Sequence, residues 1–73
     1  MVRGEELAVD LLTTQGWYRG SITLPAGGRL LDYLNSRPLM IALTEAVGPA
    51  GVRHSCMAVN LEQILAIRPS LED

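Results

Sequence analysis

The sequence predicts a small, mainly β domain of five short strands, with one short helix between the second and third. Three observations lead there. β-favouring residues alternate through "WYRGSITLP", residues 17–25. Glycines and prolines recur between short apolar runs and cut the chain into segments of strand length. Only "GRLLDYLNS", residues 28–36, carries compact helical spacing without a strand alternative. Seventy-three residues make one domain, read as a core over about 7–69 followed by a polar tail at 70–73.

Residues 5–14, "EELAVDLLTT", fit two patterns. Leu7, Ala8, Leu11 and Leu12 would share a helical face, whereas Leu7, Val9 and Leu11 would share a strand face. The following "TTQGW" favours a hairpin, because Gly16 stands where a type I turn needs a left-handed residue. In the second strand Tyr18, Gly20, Ile22 and Leu24 face one way, and Trp17, Arg19, Ser21 and Thr23 the other. Pro25 and the Gly27-Gly28 pair end it. The helix then directs Leu30, Leu31 and Leu34 inward, Asn35 is expected to stop it in a left-handed conformation, and Pro38 forbids its continuation.

"PLMIALTEA", residues 38–46, reads as a strand apolar on both sides, with Leu39, Ile41 and Leu43 opposite Met40, Ala42 and Thr44. "VGPAG" is a turn. "VRHSCMAV", residues 52–59, is a fourth strand that places Val52, His54, Cys56 and Ala58 on one face, with Cys56 expected to be buried and inert. Asn60 caps a single helical turn, and "ILAIRP" is the last strand, closed by Pro69. This order resembles small SH3-like or Sm-like barrels, which close edges that would otherwise aggregate.

"GWYRGSITLPAGGRLLDYLNS", "LMIALTEA" and "MAVNLEQILAIRPS" also resemble a family of small uncharacterised bacterial domains. Those domains share a Gly-x-Ile strand, an Arg-x-x-Asp-x-Leu-Asn segment and a Val-Asn-x-x-x-Ile ending. The resemblance spans about residues 7–69 and is most specific at Arg29–Asn35. It implies a fold and carries no activity.

Composition limits function. The net charge is −2, and the six arginines (3, 19, 29, 37, 53 and 68) are scattered among eight carboxylates, so no clustered basic footprint for nucleic acid is visible. One cysteine excludes an internal disulfide, and no Cys/His metal motif occurs. No apolar run approaches the roughly 20 residues of a membrane span, nor does the N-terminus read as a signal peptide, so a cytoplasmic location is expected. Yet 48% of the residues are hydrophobic, more apolar surface than so small a sphere hides. A protein partner, most simply a second copy of the chain, is the expected cover.

Each chemically suggestive cluster has a plainer structural account. Arg29 and Asp32 stand i and i+3 on the helix, so they are expected to pair there. His54 and Cys56 are the one nucleophilic possibility, without a third orienting group and with Cα atoms about 6.5–7 Å apart on a strand. "PAGG" and "GPAG" lack the lysine and spacing of phosphate-binding loops and read as turns. Trp17 beside Arg19 could stack on a base or anchor a protein contact, and the negative charge favours the protein. The sequence thus points to a non-enzymatic, self-associating interaction module without metal or cofactor, using Trp17, Arg19, Leu39, Met40 and Ala42 as contact residues. An Sm-like RNA binder and a small enzyme built on His54 and Cys56 are the rival readings.

Overall fold

A computed structural model of the chain describes residues 4–25 and 27–70. Ala26 of the Pro-Ala-Gly-Gly turn, the first three residues and tail residues 71–73 lie outside the described residues. Five strands, β1 (Glu5–Thr13), β2 (Gly16–Leu24), β3 (Met40–Val47), β4 (Arg53–Asn60) and β5 (Ile64–Pro69), form one antiparallel sheet in the order β4-β3-β2-β1-β5. The helix α1 (Leu30–Asn35) lies between β2 and β3, and short 3₁₀ turns occupy Pro49–Gly51 and Leu61–Gln63.

Residues 5–13 are strand, and turn chemistry explains why that pattern prevails over the helical one. Thr13 pairs with Gly16 across a two-residue loop. The Thr13 hydroxyl accepts from the Gln15 amide at 3.1 Å and donates to the Gly16 carbonyl, while Gly16 takes φ 123°, a region open to glycine. Asn60 caps the second 3₁₀ turn as expected, its Oδ1 accepting from the Glu62 amide at 2.8 Å.

One face of the sheet is the core. Val9, Leu11, Ile41, Leu43 and Ala46 are fully enclosed there, with Ile22, Leu24 and Val59 nearly so. Each large aliphatic side chain enclosed in this way contributes about 1.5–3 kcal/mol. From α1, Leu30, Tyr33 and Leu34 pack half-buried against that cluster. Leu31, expected inside, is 67% exposed, because a six-residue helix touching the sheet along one stripe leaves its next position facing water. The left-handed residue that ends the helix is Arg37 (φ 57°) rather than Asn35, which closes the last helical turn. Leu39 is likewise not on the buried side of β3 with Ile41 and Leu43: it precedes the strand and is 77% exposed.

A bulge in β3 re-aims the end of that strand. Glu45 takes φ 52°, and the pairing with β2 shifts by one residue between Arg19–Val47 and Ser21–Thr44. Gly20 faces this crowded point, where a Cβ would lie 3.1 Å from the Thr44 carbonyl oxygen and 3.3 Å from the Ala46 Cα. Among the described residues no pairing joins β4 to β5, so the sheet has two open edges and is not a closed barrel. No helix among the described residues is long and apolar enough to cross a membrane.

Candidate functional site

The register places an acid between two arginines. Asp10 on β1 pairs with Arg19 on β2 and with Arg68 on β5, so three charges stand side by side on the sheet's outer face. The Arg19 Nε donates to Asp10 Oδ1 at 2.8 Å and an Arg19 Nη reaches Oδ2 at 3.5 Å, while the Arg68 Nε donates to Oδ2 at 3.4 Å. Asp10 is only 5% exposed, whereas both arginine side chains remain about half exposed. The Arg19 hydrogen bond holds the Asp10 carboxyl below the usual carboxylate range, against an opposing push from burial, and Arg68 acts in the same direction as Arg19.

Two residues along β1, Leu12 pairs with Trp17, which brings the indole diagonally beside Asp10 and within reach of Arg68. The Arg68 guanidinium lies 4.7 Å from the ring centroid, a cation–π contact. Asp10, Trp17, Tyr18, Arg19, Val47 and Arg68 line an open groove of about 420 Å³. Val47 pairs with Arg19 on one side and Arg53 on the other, so arginines 19, 53 and 68 lie along one row across the sheet. Val47 and Arg53 also line a second, smaller cavity together with Glu45 and His54.

Of the expected contact residues, Trp17 and Arg19 share the open groove, with Trp17 43% exposed. Met40 and Ala42 lie on the same outer face toward its opposite end, in register with Asn60 and Ala58 of β4. Leu39 lines a separate small cavity with Pro38 and Leu61. Arg29 stands just before α1 and makes no ion pair with Asp32, contrary to the expected i,i+3 pairing. Cys56 is exposed rather than buried, because β4 is an edge strand with an uncovered outer face. The simple alternation that puts His54 beside Cys56 is also interrupted, since their partners Ala46 and Thr44 flank the bulged Glu45, Ala46 being fully buried and Thr44 only half so. Among the described residues no group of three or more His, Cys, Asp or Glu side chains converges as a metal site would require.

Sequence reasoning overlooked Asp10 and Arg68. The available signal was a lone acid inside the apolar run "LAVDLL", opposite the Val9 and Leu11 face, which calls for a cationic partner when the strand is central. Comparison of the chain with protein-family models, curated proteins and solved structures finds no match in any of the three.

Proposed function

We propose that this chain is a non-enzymatic interaction module that assembles with copies of itself, edge β4 of one copy pairing with edge β5 of the next. The observation carrying this reading is the character of the two open edges. From Ser55 to Asn60, β4 offers six consecutive residues without charge, proline or glycine, paired on one side only. Natural edges are usually blunted by such residues, and an edge without them is a template for another strand. β5 carries the exposed Leu65 beside its bulge. Met40 and Ala42, next to β4 in the sheet, add apolar surface that a docked neighbour would cover.

We also read the sheet as strongly coiled, in the manner of a small SH3-like or Sm-like barrel left open for a neighbour's strand. Complete enclosure of Val9, Leu11, Ile41 and Leu43 supports this, since one six-residue helix is too small to cover a flat five-stranded sheet. In addition, Thr13, Thr14 and Gln15 of the hairpin tip share a cavity with Met57–Asn60 of β4, although β3 and β2 separate those strands in the sheet.

Amide hydrogen exchange at low and high protein concentration tests the assembly. Protection that rises with concentration in both β4 and β5, and not in β2, supports edge pairing. Concentration-independent exchange in both edge strands counts against it.

A further inference from the structure

We propose that assembly is switched by pH through His54, whose protonation at the β4 edge drives the copies apart. This inference rests on the assembly reading above and adds its regulation.

Position is the first argument. His54 is the single histidine of the chain, and histidine is the residue whose charge ordinarily changes between about pH 5 and 8. It is exposed on an edge strand, directly before the uncharged run Ser55–Asn60 that offers itself for pairing. On the inner side of that edge its partner is Ala46 of β3, so a strand docked on the open side arrives beside the imidazole.

Its surroundings decide what the proton does. Glu45, Arg53 and His54 line one cleft of about 220 Å³. β3, the strand paired with β4 among the described residues, contributes Glu45 to this cleft and carries no other titratable side chain. β4 itself contributes Arg53, and Cys56 is its remaining titratable residue. With His54 neutral, one carboxylate stands with one guanidinium in the cleft. With His54 protonated, two adjacent cations precede the uncharged run, and a single carboxylate serves both.

The arriving edge offers nothing to offset the added charge. β5 reads Ile-Leu-Ala-Ile-Arg-Pro, so its one ionisable side chain is Arg68, itself a cation. That holds for either strand direction and for every register. The acid bonded to Arg68, Asp10, is nearly enclosed and also holds Arg19, so it is closed to a neighbour's imidazolium. Charge on an edge strand is a common means of refusing a partner, and like charges across paired strands repel. Enclosing the imidazolium also costs more than enclosing the neutral ring. The free edge therefore takes up the proton more readily than the docked edge, and assembly weakens as pH falls.

Sedimentation velocity of the full chain, under reducing conditions and at constant ionic strength, tests the switch at about pH 7.5 and about pH 5.5. The expected result is an assembly at the higher pH whose association weakens at least about fivefold at the lower. A general loss of net charge acts in the opposite direction, because the lower pH approaches the isoelectric point of about 5.2, where association is promoted. His54→Gln should associate equally well at both pH values, and His54→Arg should be weakened at the higher pH as the wild type is at the lower. Equal association of the wild-type protein at both pH values would overturn the proposal, and so would a pH dependence that persists in His54→Gln. A single-chain mass for the wild type at both pH values contradicts the assembly itself and the switch with it, which separates the two failures. If His54→Arg loses its cooperative melt, His54→Gln decides alone.

Discussion

Arg19 and Asp10 face each other in register across β1 and β2, with Nε 2.8 Å from a carboxylate oxygen that is almost wholly withdrawn from water. The lowered folded-state pKa makes this contact a stability term with a definite pH dependence. Its contribution is fully present above the unfolded-state value of about 3.9 and is lost as pH falls through the lower folded-state value. Asp10→Asn should therefore cost on the order of 1–3 kcal/mol at pH 7, moderated because both arginines can rehydrate. Urea melts across a pH series should show the gap between wild type and variant closing below about pH 4. A gap that stays constant down to about pH 2 would contradict this account of the network.

Gly20 is expected to resist enlargement more than its place in a regular strand suggests. Its missing side chain makes room for the bulge at Glu45, and the two nearest atoms that a Cβ would meet are backbone. Gly20→Ala should destabilise the fold by roughly 1–3 kcal/mol, measured by chemical denaturation, and Gly20→Val by more. Neutral behaviour of both would mean that β2 and β3 slide apart at little cost.

Burial ranks the leucines. Leu43 is fully enclosed, whereas Leu34 is half-buried where α1 meets the sheet. Leu43→Ala should cost roughly 3–5 kcal/mol and Leu34→Ala about 1–2 kcal/mol in the same melts. Equal losses would mean that α1 is as deeply packed as β3.

The strands were legible because each is bounded by a residue with one strong local preference. Gly16 marks the first hairpin, Asn60 caps the turn before β5, and Pro69 ends the last strand, so those limits are visible in the sequence. Alternation assigns side chains to two faces but does not say which face is covered, and for this reason Cys56 proves exposed. It also fails where a strand bulges, as at Glu45, or where the apolar pattern runs past the end of the element, as at Leu39. The Arg68–Asp10–Arg19 row was hidden for a different reason. Pairing of the last strand with the first creates it, and that register is a long-range property no local pattern carries.

Assembly is the central claim, and the mass of the purified protein in solution tests it most directly. Light scattering after gel filtration at micromolar concentration should give a multiple of the chain's 7.9 kDa. Met40→Glu or Ala42→Glu, which places a charge on exposed surface beside the β4 edge, should return the mass to that of one chain while leaving the thermal melt of each subunit cooperative. A single-chain mass for the wild-type protein, with a cooperative melt, would contradict self-assembly.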